Sequence, residues 1–312
     1  MTDSKEKTFL QKLAKSGVVI VLPLLFVCCF VIAGFMVASY SGNLQMYHNT
    51  GAQQGGANGQ HANEGDPSYG AANGSEDNAV IGEHVAVSTN EEAGRNENLR
   101  LAAESLNGTI IEAGNTFSFN EVVGDVQNDD RYQLAPVARD DQIVPGRGGG
   151  ISQVATALYM AALIANLAID ERHAHDTTII DYVELGLDAA VEYGAMDLRI
   201  TNSTYQPVTI QASAADSAVT VSLIGEAFLE EEHEIIPSST TISYHRAGTG
   251  LPSDMEFDEV MFNSTFYMVE SFREYHYRGS VVDTQFLSRD TYMVLEGSIV
   301  RLPTGGNHDA IK

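Results

Sequence analysis

Hydrophobic and polar positions divide the chain into sharply different regimes. Residues 17–38 (GVVIVLPLLFVCCFVIAGFMVA) carry no charge at all, and about 20 such residues suffice to cross a bilayer as one helix. Residues 41–82 are rich in Gly, Asn, Gln, Ala and Ser and nearly free of large apolar side chains. A segment like that cannot bury enough surface to fold. Periodic patterning starts at residue 83, with His84 to Ser88 alternating as a strand. Asn90 to Ser105 reads as an amphipathic helix, with Leu99, Ala102, Ala103 and the following Leu106 at helical spacing, and Asn107-Gly108 reads as the stop. Short strands follow at Thr109–Ile111 and Thr116–Asn120.

The longest apolar stretch of the globular part runs from Ser152 to Ile169, directly after Gly148-Gly149-Gly150. Ile151, Val154, Leu158, Ala161, Ala162 and Ala165 line one side, and Tyr159, Leu163 and Leu167 widen the stripe. This predicts one long, centrally buried helix, in which Asn166 needs a hydrogen-bond partner or marks the side nearest solvent. Thr178–Val183, Asp188–Tyr193, Asp197–Thr201, Thr204–Ala212 and Ala218–Gly225 read as a meander of strands. The expected fold class is therefore α+β: one long buried helix packed on a mostly antiparallel sheet, preceded by a single transmembrane helix. Further on, 226–239 reads as an acidic linker, and 240–263 has little pattern. Thr265–Tyr277 and Val281–Ser288 form a hairpin around Arg278-Gly279-Ser280. The expected organisation is a cytoplasmic tail (1–16), a membrane span (17–40), a flexible linker (41–82), a folded domain (83–226), a β-rich extension (227–303) and a disordered tail (304–312).

Charge and cysteine usage narrow the function. Lys5, Lys7, Lys12 and Lys15 precede the span, which favours a cytoplasmic N-terminus and an outward-facing remainder. A cleaved signal peptide ending near Ala38–Ser41 is the competing reading. The formal net charge is −25, which argues against nucleic acid as a partner. Both cysteines, Cys28 and Cys29, lie inside the span, so the exported part has no thiol for disulfides or thiolate chemistry.

The glycine run carries the candidate chemistry. A helix start presents free N–H groups and the positive end of a dipole, and Ser152 stands at that junction. It is either a nucleophile or an N-cap. As a nucleophile it would work with His175 as base and Asp188 as orienter, in a papain- or transglutaminase-like layout. The N–H groups of Ser152 and Gln153 would then stabilise an oxyanion. As a binding site, the same region offers Arg147, Gly148, Gly149, Gly150, Gln153, Thr156 and His173. The histidines also have a structural reading, paired with Glu171, Asp176 or Asp188. No metal site and no cofactor are expected, because His173, His175 and Asp188 lack a further nearby ligand.

These residues carry a resemblance. GGGISQVATALY resembles the signature of the VanW-like family of cell-envelope proteins, in which a GGG run precedes Cys-Gln. Other pieces are similar in order: Asn96–Gly108 (NENLRLAAESLNG), Gly114–Gly124 (GNTFSFNEVVG), Glu171-Arg172-His173-Ala174-His175, and Gly186–Val191 (GLDAAV) with Asp197-Leu198. The resemblance covers about residues 84–226 and implies an exported or membrane-anchored envelope protein. Its ligand would be peptidoglycan or an envelope protein, bound without catalysis; the alternative is acyl transfer or peptide cleavage. Ser152 stands where the family pattern has Cys, and Ala155 and Ala157 stand where it usually has Ser and Thr. A hydroxyl is far less acidic than a thiol, so this departure weighs against catalysis.

Overall fold

The computed structural model describes residues 78–139, 142–227, 232–248, 264–295 and 301–303. The expected tail at 1–16, the expected span at 17–40, residues 41–77 of the expected linker and the expected tail at 304–312 lie outside them, whereas residues 78–82, expected as the end of the linker, open the first strand. No helix among the described residues is long and apolar enough to cross a membrane.

Among the described residues, twelve strands and three helices follow in order. They are β1 (Asn78–Val87), α1 (Ala93–Leu106), β2 (Ile110–Ile111), β3 (Thr116–Ser118), α2 (Phe119–Val123), β4 (Leu134–Arg139), β5 (Gln142–Arg147) and α3 (Ile151–Ile164). After these come β6 (Ala168–Glu171), β7 (Arg199–Thr201), β8 (Val208–Ala215), β9 (Ala218–Glu226), β10 (His233–His245), β11 (Phe266–Tyr277) and β12 (Ser280–Met293). The sheets have the orders β1-β9-β8-β2, β3-β7-β6, β10-β11-β12 and β4-β5, and every pairing within them is antiparallel.

This corrects the expected fold class. The described chain is mostly antiparallel sheet with short helices, and one long helix on a sheet is not its organising feature. The longest helices, α1 and α3, have 14 residues each. α3 stops at Ile164 because Asn166 takes a left-handed conformation (φ 54°). Its N–H returns to Leu163 O and that of Leu167 to Ala162 O, which closes the last turn. Ala168 and Ile169, expected as the end of the helix, instead open β6. Fully buried apolar runs look alike as helix or strand when only periodicity is read.

Asn166 does find partners: Arg273 Nη1 and the Tyr275 hydroxyl both donate to its Oδ1, at 3.0 and 2.9 Å. α3 buries nearly every side chain, Val154, Leu158, Ala161 and Leu163 completely, against β1 and β9. Gly82 on β1 lets the two backbones approach, since a Cβ there would lie 2.2 Å from Ala161 O.

Other differences share one cause. Thr178–Val183 and Asp188–Tyr193 have strand-like composition but join no ladder. They lie over α3 and pair only through the isolated bridges Thr177–Met293, His173–Ala190 and Glu192–Met196. Conversely, β10 forms across a stretch expected to be linker and unpatterned chain, because β11 supplies its pairing partner.

Candidate functional site

The hairpin β4-β5 delivers the chain into a turn at Gly148–Gly150, which opens directly into α3. Steric contacts explain the glycines. A Cβ on Gly149 would lie 2.7 Å from Pro136 O and 2.8 Å from Ala135 O. Gly150 is the N-cap, with φ 106°, a conformation that costs other residues dearly. Asn98, wholly buried on α1, holds the turn by donating from Nδ2 to Gly149 O and Gln133 O, both at 3.0 Å. Ser152 therefore does not cap α3. It lies inside the first turn, half-buried, and its Oγ accepts the Val191 N–H at 3.3 Å.

The turn, the start of α3 and the segment around His175 enclose a cleft of about 760 Å³. Arg95, Arg147, Gly148–Ser152, His175 and Asp181 all contribute to its walls. Gln153 and Thr156, by contrast, point into the core and are fully buried. The Gln153 amide donates to Ala86 O and Ser217 O, at 2.8 and 2.9 Å, and accepts from Arg95 at 2.6 Å. Thr156 Oγ1 exchanges hydrogen bonds with the Ala189 backbone. Arg147 donates to Tyr132 O at 2.7 Å and lies 3.5 Å from Asp130. His173 bonds Glu171 at 2.9 Å and lies outside the cleft wall.

Behind the cleft, Asp188 is completely buried and accepts four hydrogen bonds. Its Oδ2 receives His175 N–H at 2.8 Å and His175 Nδ1–H at 2.6 Å. Its Oδ1 receives Arg172 Nη2 at 3.1 Å and the Tyr292 hydroxyl at 2.6 Å. Burial pushes this carboxyl up, but the His175 hydrogen bond and the Arg172 charge outweigh it and hold the group well below the usual carboxylate range. An ionised Asp188 can only accept, so His175 carries its proton on Nδ1. Nε2 has no partner among the described residues. Arg172 also reaches Asp290 at 2.5 Å and lies over the Tyr159 ring. Burial lowers its affinity for a proton, but Asp188, Tyr159, Tyr292 and Asp290 together raise it more, and the group stays charged.

His175 and Asp188 thus meet as the sequence reading paired them. No hydrogen bond joins Ser152 to His175. Arg95 and Tyr292 escaped that reading: Arg95 looked like one charged position on an amphipathic helix, and Tyr292 lies 104 residues from its partner. Among the described residues no group of three or more His, Cys, Asp or Glu is disposed to hold a metal ion.

Fold and site together define a β-rich domain whose cleft is built on a helix N-terminus, with an oriented His–Asp pair in its wall. Residues 94–224 match the family model described as VanW like protein, which identifies this segment as a VanW-like domain. Uncharacterized protein YoaR of Bacillus subtilis is 31% identical over 159 residues, covering 51% of this chain and 52% of the relative. Vancomycin B-type resistance protein VanW of Enterococcus faecalis is 28% identical over 162 residues, 49% of this chain and 57% of that protein. The chain thus spans about half the length of these curated relatives. No solved structure gives a significant match.

Proposed function

We propose that the chain is held at the cell membrane by residues 17–40, faces outward, and binds a cell-wall or envelope ligand in the cleft between the glycine turn and His175. The VanW-like domain and the name of the enterococcal relative support the envelope setting. The acidic balance of the chain supports a ligand other than nucleic acid.

One observation carries the reading as a binder. His175 is locked onto Asp188 with its Nε2 unpartnered, while the Ser152 hydroxyl is engaged only with the Val191 N–H. A serine nucleophile needs a base in hydrogen-bond reach; an oriented imidazole without one is a ligand-facing hydrogen-bonding group. The second reading, acyl transfer or peptide cleavage by Ser152, His175 and Asp188, draws on the same pair, since a base held by a buried carboxylate is half of a triad.

The deciding experiment incubates the full-length chain with peptidoglycan fragments and measures retention and turnover for wild type, Ser152→Ala and Ser152→Cys. Retention by all three, with no turnover by wild type, is the expected result. Turnover by wild type that Ser152→Ala abolishes would make the serine a nucleophile and the protein an enzyme.

A further inference from the structure

We infer that the cleft holds its ligand by a carboxylate, which pairs with Arg95 and the open first turn of α3; this rests on the cleft being a ligand site.

Arg95 is 6% exposed and packs against the glycine turn, its Cγ 2.8 Å from where a Gly150 Cβ would stand. Nη2 donates to the neutral Gln153 amide, whereas Nη1 is buried without an acceptor. Among the described residues no ion pair includes this guanidinium. Buried charges are ordinarily paired, and elsewhere this fold obeys the rule: Arg172 has Asp188 and Asp290.

Arg273 is also buried and lacks a carboxylate, but it is compensated differently. Its Nε is also buried without an acceptor, but both terminal nitrogens donate, to Asn166 Oδ1 and Leu167 O at the C-terminal end of α3, where the helix dipole is negative. Arg95 sits at the opposite, positive end and lines the cleft. There the dipole adds to the demand for an anion. The Ser152 N–H has no backbone acceptor among the described residues and supplies a second donor.

Asp181, a carboxylate in the same wall, attracts Arg95 from a distance but forms no ion pair with it. Its oxygens are taken by Ser88 Oγ at 2.8 Å, by the Thr89 N–H at 2.7 Å and by the Thr89 hydroxyl. Burial pushes its carboxyl up, yet these hydrogen bonds, with the more distant Arg95 charge, keep it below its ordinary value and hence ionised. A fixed negative charge beside the site favours a singly charged carboxylate over a phosphate dianion.

The test is calorimetric titration of the full-length chain with N-acetyl-alanyl-alanine, its C-terminal amide, glucuronate and inorganic phosphate. At least one of the two organic acids is expected to bind about tenfold or more tightly than the amide and than phosphate. The peptide acid binding better identifies a peptide terminus as the source, and glucuronate binding better identifies a sugar acid. Arg95→Met is expected to remove the preference while melting no lower than wild type, because it also removes an unpaired buried charge. If that variant does not fold, the wild-type comparison of acid and amide decides alone. Retention of peptidoglycan fragments together with equal binding of acid and amide, or with an unchanged preference in Arg95→Met, overturns the carboxylate inference and leaves the cleft reading intact. Failure of fragments and every probe to bind overturns both.

Discussion

Tyr292, near the end of β12, places its hydroxyl 2.6 Å from Asp188 Oδ1 and accepts the Gly186 N–H at 2.8 Å. It lies beyond the segment that matches the family model, yet it completes the buried shell that keeps Asp188 ionised and His175 oriented. Removing only that hydroxyl, by Tyr292→Phe, strips a charged acceptor of one donor and leaves the Gly186 N–H without a partner. Urea unfolding should show a loss of about 1.5–3 kcal/mol. A loss within error of zero would mean that the shell does not depend on this strand.

Acid sensitivity should follow from Asp188. Its pKa in the folded state lies below the unfolded carboxylate value of about 4. A depressed pKa contributes stability that is fully present above that unfolded value and disappears as pH falls through it toward the folded one. Wild type should therefore lose stability steeply below about pH 4. Asp188→Asn should flatten this limb, and at neutral pH it should cost about 3–5 kcal/mol by leaving Arg172 with one carboxylate fewer. Denaturation curves collected at a series of pH values read both effects. An acid limb of the same steepness in the variant would assign the sensitivity to other carboxylates.

The glycine turn makes a graded prediction. Gly149→Ala drives a methyl into two backbone carbonyls, whereas a Cβ on Gly194 meets nothing within 4 Å and only the positive φ of 77° resists it. Gly194→Ala should cost about 1–2 kcal/mol. Gly149→Ala should cost more, about 3 kcal/mol, because backbone atoms cannot move aside as a flexible side chain can. Thermal melts of the two variants rank them, and equal melting temperatures would refute the close approach.

Much of this site was legible in the sequence, and the illegible parts share a cause. The glycine run, the helix after it and the His175–Asp188 pair follow from local spacing, and the VanW-like resemblance from motifs in order. The end of α3 was not readable, because Leu167 and Ile169 are equally at home in a buried helix or a buried strand. For Ser152 the sequence offers a nucleophile or a cap, since serine after glycines usually caps, but Gly150, free to adopt φ 106°, takes the N-cap position instead. Gln153 and Thr156 were read as ligand contacts because they are polar beside the glycines. Their helical phase turns them into the core, where Ala86, Ser217 and Ala189 use up their hydrogen bonds. Tyr292 and Arg95 matter through contacts between distant segments, which no local pattern encodes.

Arg95 and Gln153 offer the sharpest check on the energetics behind the cleft. Gln153 Oε1 accepts the hydrogen bond that Arg95 Nη2 makes, at 2.6 Å, and its Nε2 ties β1 to the β8–β9 turn through Ala86 and Ser217. Gln153→Leu removes all three bonds and leaves the guanidinium buried with no acceptor for either terminal nitrogen, so it should cost about 3 kcal/mol or more. Arg95→Met alone loses one hydrogen bond but also removes the desolvated charge, and should be close to neutral. The two effects are not additive. In the double variant no orphaned cation remains, so it should recover about 1–2 kcal/mol relative to the sum of the single changes. A double-mutant cycle in urea measures this coupling directly. Strict additivity would show that Arg95 is already satisfied without Gln153, and would remove the physical reason to expect a counter-charge from a ligand.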